Sequence, residues 1–299
     1  MVELVSAGAK IDLYLRGLKG LSILDAVEIG NFANCINQIF VDREINTSRD
    51  YSEDIFAAAE KLNIKVSWWK KHSQTYAPYS LAAGWQFLIK AENLFVIHDS
   101  LLPRYRGFNP LVSMLLNEEP RIGATLIFAS AEVDKGPIVK AIATNIEYPI
   151  KLESALVKIC EIYRELALFL FSKLSVKEKI DTFEQIETDA SYSLWRDDLD
   201  YRINWKMSSK KIQNFINSVG MPYSGASSIL NGKEVRIFDC EIVKDCKIEN
   251  RSEGKIFSLI EGMPVVVCGQ GLVKITSIFD ASTKASILPM KTLKGRFSC

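Results

Sequence analysis

The sequence predicts an α/β chain in two parts: a mainly parallel sheet with helices on its faces, followed by a smaller all-β unit that forms a small barrel or compact sheet. Three observations carry this. The 299 residues exceed the usual single-domain size and suffice for two cores. Strand-like and helix-like segments alternate through the first half, the mark of helices packed on a parallel sheet. Beyond residue 220, short alternating strands recur between glycine-containing turns.

The elements follow in order. VELVSAG, residues 2–8, reads as the first strand, and Leu13, Leu15, Leu18 and Leu21 fall on a somewhat glycine-rich helix after it. INQIFVD is the second strand. Residues 47–63 carry acids in a first turn and apolar side chains at Ile55, Ala58, Ala59 and Leu62, which predicts a helix on the sheet. IKVSWW is the next strand. YSLAAGWQFLI is apolar but interrupted by Gly84, which fits a core strand with a bulge or a place where a ligand nears the backbone.

NLFVIHDSLLP then predicts a buried strand that ends where His98 emerges, and ATLIFAS a strand that delivers Asp134 just past its end, in VDKGPI, where Gly136 and Pro137 make a turn. Residues 110–117 form a short helix. Residues 152–174 form a long one, apolar on nearly every side and therefore well buried. Residues 182–202 are polar and irregular, as befits a linker. SSKKIQNFINSVG is a helix with Ile212, Phe215, Ile216 and Val219 on one face and Gly220 as its stop, and PYSGAS is a turn. SILNGKEVRIFDCEIV, GKIFSLI, MPVVVCG and GLVKITSIF are the closing strands, with turns at Asn231-Gly232 and around Gly269 and Gly271. The domains are thus expected at 1–181 and 204–299, joined by a linker at 182–203.

Composition narrows the function. With 48% hydrophobic and 24% charged residues the chain is neither disordered nor membrane-embedded, and no apolar run approaches the roughly 20 residues that span a bilayer. Met1 leads directly into a strand-like segment, so no targeting segment is read and a cytoplasmic location is expected. The six cysteines (35, 160, 240, 246, 268 and 299) are scattered without metal-type spacing, so no metal is expected and the thiols are expected to be reduced. There is no P-loop and no complete GxGxxG. Net charge is +1, divided as −5 over residues 1–203 and +6 over 204–299. That basic excess could attract phosphate or nucleic acid but lacks dense clusters, which also fits a solvated surface.

The chemistry concentrates in HDSLLPRYRGFNP and IGATLIFASAEVDKGPIV. Histidine is the side chain that most readily exchanges a proton near neutral pH, and open α/β sheets place ligands at strand ends. His98 and Asp134, each at the end of a strand, make a proton-handling pair.

HDSLLPRYRG followed by a strand and VDKGPI resembles the active-site signature of the formyltransferases that use a 10-formyl folate donor. AAGWQF resembles their folate-pocket segment, and YRINWKMSSKKIQNFINSVGMPYSGAS resembles the block that opens their C-terminal domain. The resemblance spans most of the chain. It implies a Rossmann-like catalytic domain, an OB-like C-terminal β-barrel, and transfer of a formyl group from N10-formyltetrahydrofolate to a primary amine. His98 and Asp134 would be catalytic. Trp85, Gln86, Phe87, Leu88, Val133 and Asp134 would bind the folate, with membership of the core as the alternative for the aromatic pair. Ser100, Leu101, Leu102, Pro103, Tyr105, Arg106 and Gly107 would form the substrate loop.

One departure stands out. The family signature has an asparagine two positions before the histidine, and this chain has Val96, which cannot donate a hydrogen bond to an oxyanion. The role could pass to a protonated His98, the reading favoured by an Asp134 carboxylate beside it. It could pass instead to another polar group such as Gln86 or to a water, or the chain could bind folate with little or no turnover.

For the acceptor, near neutrality, a net negative first domain and the lack of a basic insertion favour a nucleotide-linked amino sugar of the 4-amino-4,6-dideoxyhexose type over nucleic acid. Methionyl-tRNA is the alternative, since a tRNA enzyme would show a basic surface. The C-terminal barrel could pair two subunits as a homodimer.

Overall fold

Burial on both faces explains why Ile11–Arg16 (β1) is a strand. Every residue from Ile11 to Leu15 is buried, as in the middle of a parallel sheet. The computed structural model describes residues 9–45, 47–71 and 76–299. The VELVSAG segment lies outside them. Leu13 and Leu15, expected on a helix, belong to β1, and the helix begins only at Gly17, whose left-handed φ of 64° turns the chain. Their spacing of two is the strand period, and the intervening Tyr14 is buried on the opposite face.

After α1 (Gly17–Ile29) come β2 (Ile36–Asp42), α2 (Ser52–Lys61), β3 (Val66–Trp68), β4 (Tyr79–Ala83) and β5 (Leu94–His98). The short β6 (Arg106–Gly107) and α3 (Pro110–Leu116) precede β7 (Arg121–Phe128), β8 (Ile138–Asn145) and α4 (Leu152–Ser175). The sheet order is β3-β2-β1-β4-β5-β7-β8, parallel through β5 and antiparallel at β7 and β8.

Among the described residues the helices pack on one face of this sheet. α1, α2 and α4 join one apolar core with Leu13, Leu15, Leu81, Phe95 and Ile97 on one face. The other face, with Tyr14, Phe40, Ala82 and Val96, meets loops and the aromatic rings of Trp69 and Trp85. α4 is likewise apolar along one stripe rather than all round. Leu152, Ala155, Ile159, Ile162, Leu166, Leu170 and Leu174 are buried at helical spacing while Val157 is 52% exposed.

Only Tyr79–Ala83 of the YSLAAGWQFLI segment is strand. At Gly84, with φ 64°, a Cβ would lie 2.4 Å from the Arg16 carbonyl, so the group that nears this glycine is the chain's own backbone.

Residues 182–203 are irregular yet docked. β9 (Tyr192–Ser193) pairs with β6. α5 (Ser209–Val219) follows, capped by the Ser208 side chain at its start and by Gly220 at its end. The second sheet holds β10 (Ala226–Leu230), β11 (Lys233–Val243), β12 (Ile256–Ile260), β13 (Met263–Val267), β14 (Leu272–Asp280) and β15 (Phe297–Ser298). Its order is β12-β13-β14-β11-β10-β15, antiparallel throughout. Backbone pairing of Lys255 with Arg296 brings its two edges together, so the sheet curls into a small barrel. Asn231-Gly232 makes the β10–β11 hairpin with both residues at positive φ, as that dipeptide predicts. α5 fastens the barrel to the first sheet. Ile212 and Ile216 share its core, and Asn214 Nδ2 donates to the Leu115 carbonyl at 2.9 Å.

Candidate active site

His98 is the last residue of β5, on the face that carries Val96. It is only 8% exposed. Its Nε2 lies 2.8 Å from the Tyr105 carbonyl oxygen and its Nδ1 lies 3.4 Å from Asp134 Oδ1. A carbonyl only accepts, so Nε2 carries the hydrogen, and in the neutral ring Nδ1 is left with its lone pair towards the carboxylate. The ring is oriented by the loop on one side, with its basic nitrogen on the other.

That loop is rigid because its polar groups are satisfied internally. Ser100 is fully buried and donates to the Arg104 carbonyl at 2.7 Å. Thr125 Oγ1, on the strand beside His98, donates to the Ser100 carbonyl and accepts from the Leu102 N–H. Tyr105, at a left-handed φ of 59°, gives its hydroxyl hydrogen to Glu119 at 2.7 Å and accepts from Asn117 Nδ2. The hydrogen bond from Tyr105 and the ion pair with Arg104 hold the Glu119 carboxyl below its ordinary range. Leu102 is buried, and Leu101 and Pro103 are half-buried.

Within the expected substrate loop, the Arg106 side chain is turned into the protein. It is 1% exposed, and its guanidinium donates to Gln185 Oε1, to both oxygens of Glu187 and to the Tyr192 hydroxyl. Its fork thus fastens the docked 182–203 segment to the loop. Gln185, Glu187 and Tyr192 gave no sign of this in the sequence, where they sit in a polar stretch with no period.

Asp134 reaches the site by a route the sequence did not show. β7 runs antiparallel to β5, with His98 opposite Thr125 and Phe128 opposite Phe95, so the end of β7 lies three residues down the sheet from His98. The hairpin loop to β8 folds back along the sheet and brings Asp134, at φ 58°, up to the imidazole. Three backbone contacts fix it. The Gly107 N–H donates to Asp134 Oδ2 at 2.8 Å, and Gln185 Nε2 donates to the carbonyls of Asp134 and Gly136.

A buried ion pair adjoins the His98–Asp134 pair. Lys19 Nζ lies 2.6 Å from Asp99 Oδ2, and the Tyr163 hydroxyl donates to Asp99 Oδ1 and lies 2.9 Å from the Ile97 carbonyl oxygen. Burial alone would push the Asp99 carboxyl up. The Lys19 charge and the hydrogen bonds from Lys19 and Tyr163 outweigh it and hold the group below its ordinary value. The Lys19 ammonium is correspondingly raised, its desolvation outweighed by Asp99.

Beside Val96 the open face carries an aromatic cluster. Tyr14 stacks on Phe40 at 4.8 Å between ring centroids, Trp85 meets Tyr14 edge-on at 5.3 Å and Trp69 at 5.6 Å, and Trp69 stacks on Phe87 at 4.5 Å. Trp85 is half-buried, and its indole Nε1 is buried without a hydrogen-bond partner. Such a group costs about 1–3 kcal/mol. Gln86, Phe87 and Leu88 are exposed, Leu88 by 88%, as is Val133 by 69%. Neither of two cavities found among the described residues is lined by His98 or Asp134. One of about 660 Å³ opens by Ser80, Lys90 and Asn93 at the far end of β4, and one of about 280 Å³ lies between Lys19, Glu44, Arg49, Tyr51 and Tyr223. No helix among the described residues is long and apolar enough to cross a membrane, and no cluster of three or more histidine, cysteine or acidic side chains there could hold a metal ion.

Comparison with known proteins matches this arrangement to one family. The model described as "Formyl transferase" matches residues 75–156, which contain His98 and Asp134, and "Formyl transferase, C-terminal domain" matches residues 197–290. A curated relative, the bifunctional polymyxin resistance protein ArnA of Wigglesworthia glossinidia brevipalpis, is 31% identical over 151 residues, half of this chain. The match spans only 22% of that protein's length. Among solved structures, the N-formyltransferase from Helicobacter canadensis, in complex with folinic acid and dTDP-3-aminofucose, is 18% identical with a TM-score of 0.66. It covers 89% of this chain and 98% of its own. HypX from Aquifex aeolicus, at 17% identity and a TM-score of 0.66, covers 91% of this chain, which spans 44% of that protein. These structures share the fold. With two matched models that together take in more than half of its residues, the chain belongs to the formyl transferase family.

Proposed function

We propose that this protein transfers a formyl group from N10-formyltetrahydrofolate to the primary amine of a nucleotide-linked amino sugar. The observation that carries the reading is the His98 ring held between the Tyr105 carbonyl and the Asp134 carboxylate. An amine that attacks a formyl carbon must lose a proton. His98 Nδ1, its tautomer set by Tyr105, is the base that takes it, Asp134 Oδ1 stabilises the imidazolium so formed, and that proton passes on to N10 as the bond from the formyl carbon to N10 breaks and tetrahydrofolate leaves. The Gly107 N–H holds that carboxylate, and Gln185 holds the Asp134 backbone carbonyl, before any ligand arrives.

The residues present suit a flat folate donor. Phe87, Leu88 and Val133 offer exposed apolar surface on loops next to Gly84 and Asp134, and the Trp85 indole offers an N–H with no partner. The bound donor supplies the activated one-carbon unit. Solved relatives crystallised with dTDP or dTDP-3-aminofucose, one of them described as a sugar 3N-formyl transferase, support a nucleotide sugar as acceptor.

The test is incubation of the purified protein with the donor and a panel of dTDP- and UDP-linked 3-amino and 4-amino sugars, followed by mass spectrometry. One sugar should gain a single formyl group. No gain on any sugar, with formylation of charged initiator tRNA instead, would overturn the acceptor. No gain on either would overturn the reaction.

A further inference from the structure

We infer that the Trp85 indole Nε1–H is the hydrogen-bond donor to the formyl oxygen, the role that Val96 cannot fill; the inference rests on the reaction proposed above. Negative charge develops on that oxygen as the amine adds, and a fixed donor there raises the rate by about a hundred- to a thousandfold. The polar groups nearest the reacting pair are already committed. His98 Nε2 gives its hydrogen to Tyr105, and Nδ1 must start without one to act as base. The Gly107 N–H is bonded to Asp134, and the Gln185 amide to two carbonyls. Val96, on the His98 face of β5, has no polar atom in its side chain.

Trp85 is placed to supply what they do not. Ala83 pairs with Ile97, so Gly84 stands level with His98 at the end of the sheet. The left-handed turn there sends the next residue over the open face, where the Trp85 ring packs in one cluster with Tyr14, Ala82 and Val96. Its Nε1 is buried and unpartnered. Of the other unpartnered buried polar atoms in the first sheet, Ser80 Oγ lies near the opposite end of β4 and Gln38 Nε2 lies two strands away, on β2. A buried donor left without an acceptor in the free protein, on the face of the sheet that carries His98, is what a site for a ligand carbonyl requires.

The direct test reads the indole itself. In ¹⁵N-labelled wild-type protein without acceptor, the Trp85 indole proton should move downfield when N10-formyltetrahydrofolate is added and stay in place with tetrahydrofolate, which lacks the formyl oxygen. A resonance that ignores both ligands, or follows both equally, would overturn the inference. Trp85→Phe, which keeps a ring but removes the N–H, should lower kcat about a hundred- to a thousandfold with donor affinity within a few fold of wild type. A folded Trp85→Phe protein with wild-type kcat would also overturn it. Should that variant not fold, the wild-type resonance decides alone. If the wild-type protein formylates nothing, the proposed reaction fails instead, and the indole response still reports whether the formyl oxygen is bound there.

Discussion

Asp134 Oδ1 stands 3.4 Å from His98 Nδ1 although the strands that lead to them run in opposite directions. The pairing therefore depends on the loop after β7, which the Gly107 N–H and Gln185 hold against the sheet. Acid and base are positioned by backbone contacts, so their geometry exists before substrate binds.

Asp134→Asn keeps an oxygen for the Gly107 N–H and removes the charge beside the imidazole. We expect kcat to fall about a hundredfold or more with little change in KM for either substrate. A steady-state assay checks this. A fall in donor affinity with kcat preserved would assign Asp134 to binding rather than to proton transfer.

Arg106→Ala should act on stability. The side chain is buried and ties Gln185, Glu187 and Tyr192 to the active-site loop, so its loss should lower unfolding free energy by about 2–3 kcal/mol, at the upper end for single substitutions. Urea denaturation at constant m-value measures it. Arg106→Lys should recover little, because one ammonium cannot replace a fork with three partners.

The Lys19–Asp99 pair gives a pH signature. The Asp99 carboxyl is held below its ordinary 3.8, so its contribution to stability is fully present above that value and is lost as pH falls through the lowered folded value. Wild type should therefore be more stable than Asp99→Asn at neutral pH, and the two denaturation curves should converge in acid below about pH 4. A difference that persists unchanged into strong acid would show that the pair does not carry it.

Much of this molecule is legible from residue order. β2, α3, α5 and the C-terminal strands follow their periods and turn residues closely, and His98 is recognisable as the end of an apolar run. The remainder depends on what no local pattern encodes. Leu13 and Leu15 fit a helix or a strand until the sheet buries Tyr14 between them. Asp134 sits past the end of a strand whose direction is set by its neighbour, so only the fold-back loop reveals how it meets His98. Arg106 reads as part of the substrate loop, and its partners in residues 185–192, polar and aperiodic in sequence, show only in the fold. Trp85 is an aromatic residue like any other until its indole nitrogen is found without a partner.

Val96→Asn separates two accounts of the oxygen donor. If the Trp85 indole already serves, the substitution should change kcat far less than the roughly hundredfold attached to a missing donor. A gain of that size would show that the wild-type site lacks one. The formyl-transfer rate under saturating substrates is the measurement.

Single-turnover transfer by His98→Ala, followed by mass spectrometry on the formylated acceptor and paired with a folate binding titration, bears most directly on the base. The account predicts a loss of about a hundred- to ten-thousandfold in rate with donor affinity nearly intact. Transfer at the wild-type rate in that variant would contradict it.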